Sequence, residues 1–85
     1  MNCYNLMAVL INHRSKNAGE VQETLTEHGC IIKMRLGLHE TDNACSEEGL
    51  VLLQLGGTEA ERKSLEDKLN SIPGVKAKSL EICAD

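Results

Sequence analysis

The stretch GLVLLQLGGTEAERKSLEDKLNSIPGV, residues 49–75, decides the fold. Leu50-Val51-Leu52-Leu53-Gln54-Leu55 is apolar at both parities, the pattern of a strand covered on both faces. Gly56-Gly57 turns the chain. Thr58-Glu59-Ala60-Glu61 is a capping box: Thr58 can accept from the N–H of Glu61 while Glu61 reaches back to the N–H of Thr58. Leu65, Leu69 and Ile72 follow at helical spacing, and Pro73-Gly74 stops the helix. Gly49 opens this strand–helix unit, and Val75 to Ile82 closes it with another strand.

The first half of the chain repeats the pattern. Leu6 to Ile11 is again continuously apolar. A polar loop, Asn12 to Lys16, leads to a helix that Ser15 or Asn17 can cap, because their side-chain oxygens accept free backbone N–H groups. Ala18, Val21, Leu25 and His28 form its expected inner stripe. Gly29 is expected to end it in a left-handed conformation. Ile32, Met34, Leu36 and Leu38 then alternate with Lys33, Arg35 and Gly37, as in an edge strand with one wet face. Residues 39–48, HETDNACSEE, form an acidic loop longer than most hairpin connections.

The order βαββαβ predicts an α+β, ferredoxin-like sandwich: a four-stranded antiparallel sheet with both helices on one face. Residues 1–85 form one domain. The first and third strands should be central, which agrees with their two apolar faces. One alternate set of side chains in each (Leu6, Ala8 and Leu10 or Met7, Val9 and Ile11 in the first strand; Leu50 and Leu52 or Val51, Leu53 and Leu55 in the third) must then lie on the helix-free face. Exposed aliphatic patches of that size mark interfaces, so a homodimer or higher homo-oligomer is expected. The core contains no Phe or Trp and the chain only one Tyr, and a small aliphatic core also gains from self-association.

The net charge of −4 and the lack of stacking aromatics argue against direct nucleic-acid binding. The longest apolar run is far short of a membrane span. The start MNCYN lacks the basic residues of a signal peptide. A cytoplasmic location is therefore expected, in which Cys3, Cys30, Cys45 and Cys83 stay reduced. Cys3 and Cys83 fall near the ends of adjacent strands, and a disulfide between them is geometrically possible but disfavoured in that compartment. No C-x-x-C pair suggests a zinc ribbon or a thioredoxin-like site.

Residues 17–32, NAGEVQETLTEHGCII, resemble the opening of ACT domains, with Gly19 at the start and Gly29 at the end of the first helix. Ser71-Ile72-Pro73-Gly74-Val75 is similar to the end of their second helix. A narrower resemblance is to small stand-alone ACT-like proteins of the iron-only hydrogenase system regulator family, carried by Asn12 to Leu25, Arg35-Leu36-Gly37-Leu38 and Ile72 to Val75. These resemblances imply a non-enzymatic regulatory module responding to a small-molecule effector and signalling to a protein partner. They place a ligand near Asn12, His13, Arg14, Asn17, Ala18 and Gly19. A helix start with Arg14 and Lys16 beside it also suits an anion or carboxylate. Amino-acid-binding ACT domains carry a proline before the helix glycine and an acid before that; here Ala18 and Asn17 stand there.

A second similarity is to the metal-sensing half of nickel-responsive repressors. His39 and Cys45, with His13 from the same or another chain, fall at one end of the inferred sheet. Imidazole and thiolate suit zinc or nickel. A metal-responsive sensor is therefore one alternative, and a purely structural oligomerisation module is another. No nucleophile–base pairing and no phosphate-binding glycine pattern points to catalysis.

Overall fold

The computed structural model describes residues 2–12, 14–38 and 49–84, and of residues 14–16 and 38 the backbone only. The elements are β1 (Cys3–Ile11), α1 (Arg14–Glu27), a 3-10 turn (Gly29–Ile31), β2 (Ile32–Leu38), β3 (Gly49–Leu55), α2 (Glu59–Asn70) and β4 (Val75–Cys83). The strands pair antiparallel in the order β2-β3-β1-β4. The two strands with apolar residues at both parities are central. This is the ferredoxin-like, ACT-like arrangement.

The register decides which alternate set faces the helices. Met7, Val9 and Ile11 of β1 lie beside Leu53, Val51 and Gly49 of β3, and Val9 and Ile11 also beside Ala77 and Val75 of β4. Together with Val21 and Leu25 of α1 and Leu65 and Leu69 of α2 they form the buried core, which Ile31, Leu55 and Ile72 complete. Among the described residues no buried side-chain nitrogen or oxygen lacks a hydrogen-bond partner. The interior is purely aliphatic, so its cohesion comes from area removed from water and from close packing.

Helix α2 begins as its sequence dictates. The Glu61 N–H donates to Thr58 Oγ1 at 3.1 Å, and the Thr58 N–H donates to Glu61 Oε1 at 2.8 Å. Hydrogen bonding to the Glu61 carboxyl, from the Thr58 backbone N–H foremost and then from the Thr58 side chain, holds it below the ordinary carboxylate range. A lowered folded-state pKa means that this cap is fully formed above the ordinary Glu pKa and is lost as acid protonates Glu61.

Helix α1 departs from expectation at both ends. It opens at Arg14, so Asn17 lies inside its first turn instead of capping it; Asn17 Nδ2 donates to the Asn12 carbonyl at 2.8 Å. Ala18 is exposed, and the buried stripe is Val21 and Leu25. Gly29 does not adopt a left-handed conformation but begins the 3-10 turn. His28 closes the helix instead: its N–H and its Nδ1 both approach the Thr24 carbonyl, at 3.2 and 2.8 Å.

Among the glycines of the described residues, Gly57 (φ 73°) and Gly74 (φ 82°) are left-handed. A Cβ on Gly57 would lie 2.5 Å from Ile31 Cγ2, in addition to the cost of the left-handed backbone. Gly57→Ala is expected to lower the unfolding free energy by about 2 kcal/mol, read from the urea midpoint at unchanged m-value. Gly29→Ala, with nothing within 4 Å of the added carbon and no left-handed backbone, is the matched control and should stay near wild type.

Strand β2 carries an irregularity its alternation does not announce. Ile32 pairs with Leu55, but Met34 pairs with Gln54, so Lys33 is an extra residue on this strand. Ile32 therefore packs against the core, whereas Met34 and Leu36 turn to the helix-free face. Arg35, opposite Leu53, lies on the helix side and hydrogen-bonds Gln22 of α1.

Toward the opposite edge of the sheet, Cys3 sits directly across from Cys83, and the two are joined by a disulfide. This corrects the expectation that all four cysteines remain thiols. The N–H of Ala84 donates to the Asn2 carbonyl at 2.8 Å, so Cys3 and Cys83 occupy the adjacent non-hydrogen-bonded position, where side chains of paired strands come closest. Spacing along the chain could not show this register. Among the described residues Cys30 is the free cysteine, and it is exposed. No helix among them is long and apolar enough to cross a membrane.

Candidate functional site

Two regions hold the residues to which a function can be attached. The first is the junction of β1 and α1. The Asn12 N–H donates to the Gly74 carbonyl at 2.7 Å, and its own carbonyl accepts from Asn17. A side chain on Gly74 would come within 2.9 Å of Asn17 Nδ2. Asn12, Asn17 and Gly74 are thus drawn together, and the Pro73-Gly74 turn braces the start of α1. Asn17 is half-buried and spends its amide on this brace; Ala18 and Gly19 are exposed on the first turns of the helix, with open space around Gly19. Arg14 is the first residue of α1, so its backbone N–H is one of those a helix start leaves unpaired. His13, His39 and Cys45 lie outside the described residues, and so does the proposed metal set they make up.

The second region is the helix-free face of the sheet. The register aligns Met34, Gln54, Leu6 and Leu80 in one row across it. Leu36, Leu52, Ala8 and Lys78 form the next, and Leu50, Leu10 and Lys76 continue beyond, while Tyr4 and Ile82 flank the first row on its other side. Met34 and Leu36 are 49% exposed, and Tyr4, Leu80 and Ile82 are 52–55% exposed. The central-strand residues are half-buried only by their neighbours in the sheet. The result is a broad aliphatic surface with Lys76 and Lys78 at one corner. Its central part was legible from the doubly apolar strands. Its margins, Met34 and Leu36 on one side and Leu80 and Ile82 on the other, depend on the bulge and on strand register.

A third feature was not visible in the sequence. A cavity of about 350 Å³ opens between the first turns of α2 and the β1–β4 pair, lined among others by Asn5, Glu59, Arg62, Lys63, Ser79 and Glu81. Arg62 Nη1 donates to the Gly57 carbonyl at 2.6 Å, which fixes its guanidinium at the α2 end of this space.

No protein-family model matches the chain, and no curated protein does. Solved structures do. The uncharacterized protein TM1266 from Thermotoga maritima superposes with a TM-score of 0.83 at 20% identity, covering 96% of this chain and 100% of that one. A dimeric ferredoxin-like protein from an uncultured marine organism gives 0.55 at 12% identity, covering 94% and 92%. CPII, a nitrogen regulatory PII-like protein from Thiomonas intermedia K12 bound to ADP, AMP and bicarbonate, gives 0.53 at 8% identity, covering 95% and 89%. At these identities the likeness is one of fold, and with TM1266 it extends over nearly all of this chain and the whole of that one.

Proposed function

We propose that this chain is a non-enzymatic regulatory module that self-associates through its helix-free sheet face and holds a small anionic effector near the start of α1. The aliphatic face carries the reading: a 9.3 kDa chain with such a surface gains most by pairing it with a second copy. Two structural neighbours support it, one being dimeric and the other a regulatory protein bound to nucleotides and bicarbonate. The resemblance to iron-only hydrogenase system regulators suggests the system in which the output is read by a protein partner. The effector would be met by the free N–H groups of the helix start and by Arg14, with the exposed Ala18–Gly19 surface beside them and His13 as a further candidate ligand.

Native mass spectrometry of the full chain purified from its own cells tests both halves together. The expected result is an even-numbered oligomer carrying a small molecule. Leu52→Glu, which puts a charge in the middle of the face, should give a folded monomer. A wild-type monomer at micromolar concentration would remove the self-association. An oligomer free of small molecules, with flat calorimetric titrations against amino acids and nucleotides, would reduce the chain to a structural oligomerisation module.

A further inference from the structure

We propose that Cys3, Cys83 and Glu81 form a redox-gated binding site for a thiophilic divalent cation of the zinc class. The site lies at the opposite end of the sheet from the effector region, and its existence does not depend on the function proposed above. Three observations carry it. Cys3 and Cys83 face each other across β1 and β4. Glu81 is two residues before Cys83 on β4, so strand periodicity places it on the same side of the sheet, diagonal to Cys3. The two sulfurs and a carboxylate oxygen of Glu81 all lie within 4.8 Å of one another.

Ligand atoms around a tetrahedral zinc with Zn–S bonds of about 2.3 Å stand roughly 3.7 Å apart. The three groups therefore need only small side-chain rotations to surround an ion once the sulfurs are no longer bonded to each other. The donor set is chemically apt: two thiolates and one carboxylate give a site with a net charge of −1 around a divalent cation. Three protein ligands leave a fourth position for water or a small anion. Glu81 also lines the cavity beside α2, together with Glu59, Arg62, Lys63 and Glu66, so open space adjoins its carboxylate.

The disulfide is the closed state of this site. Neither Cys3 nor Cys83 is fully buried, so a dithiol reductant can reach the bond. One thiolate of the reductant attacks a protein sulfur, the Cys3–Cys83 bond breaks, and a mixed disulfide forms. The reductant's second thiolate then displaces the remaining protein sulfur, and the reductant leaves as its own disulfide. The protein has gained two electrons and two protons as two thiols. A zinc ion displaces both protons and binds the two thiolates together with the Glu81 carboxylate.

The test uses the full chain carrying Cys30→Ser and Cys45→Ser, so that this pair supplies the only thiols. Zinc is titrated into oxidised and phosphine-reduced protein, in competition with a chromophoric chelator, and melting temperature is followed in parallel. The reduced chain is expected to bind one zinc with micromolar or tighter affinity and to melt at higher temperature as zinc is added. The oxidised chain should bind none. Adding Glu81→Gln to this background should weaken binding at least tenfold. Because a metal bound to the folded state raises the melting temperature of a chain that has lost stability on reduction, the melting readout reports binding alongside the chelator competition. A reduced chain whose melting temperature ignores zinc overturns the proposal, as does an affinity unchanged by oxidation or by Glu81→Gln.

Discussion

The double substitution Cys3→Ser/Cys83→Ser should lower the unfolding free energy of this chain by about 4.5 kcal/mol. The bond spans a sequence separation of 80 residues, so it closes nearly the whole chain into one loop. Without it the unfolded ensemble regains the freedom of two ends that no longer meet, and loop-closure entropy for that length sets the figure. A domain of 85 residues has roughly 4–13 kcal/mol of stability in total, so this one bond carries a large share of it. Urea unfolding at fixed protein concentration checks the expectation. The reduced wild type should match the double variant, and oxidised Cys30→Ser should match the oxidised wild type. A midpoint indifferent to reductant would show that the loop contributes nothing.

The second large effect belongs to the core. Leu53, in β3, is 1% exposed and belongs to the core cluster that includes residues of both helices. Leu53→Ala should cost about 3 kcal/mol, from the lost transfer energy of the removed carbons and from a cavity that rigid aliphatic neighbours cannot close. Leu36→Ala removes the same atoms from the other side of the sheet, where the side chain is half exposed. In the isolated chain it should shift stability by no more than about 0.5 kcal/mol, while weakening self-association. Equal effects of the two on the unfolding midpoint would mean that the helix-free face is covered as completely as the core.

The sequence was most readable where local chemistry and periodicity agree. The doubly apolar runs at Leu6–Ile11 and Leu50–Leu55 identified the central strands, and the Thr58/Glu61 box located the start of α2 to the residue, because each feature is a short-range pattern. Helix α1 was less legible. Its polar Asn17 looks like a cap, yet it is drawn instead to the Asn12 carbonyl five residues earlier, at a junction that Gly74 from the other half of the chain closes. The Cys3–Cys83 pairing and the neighbouring Glu81 were beyond sequence reasoning, since they rest on a register joining residues from the two halves of the chain. The face taken by Met34 and Leu36 was likewise hidden, because a one-residue offset in pairing leaves the alternation of the sequence untouched.

That offset at Lys33 has a consequence for how such chains can diverge. Deleting Lys33 would restore regular pairing and leave Met34 opposite Gln54, whereas a retained Lys33 paired in regular register would invert the remainder of β2, carrying Met34 and Leu36 to the helix side and presenting Arg35 and Gly37 on the opposite surface. The fold would persist, but one margin of the adhesive surface would become polar. The presence or absence of the offset, rather than chain length alone, thus acts as a dial on stickiness, and a sister sequence of equal length that pairs here without a bulge is expected to share this architecture while assembling differently.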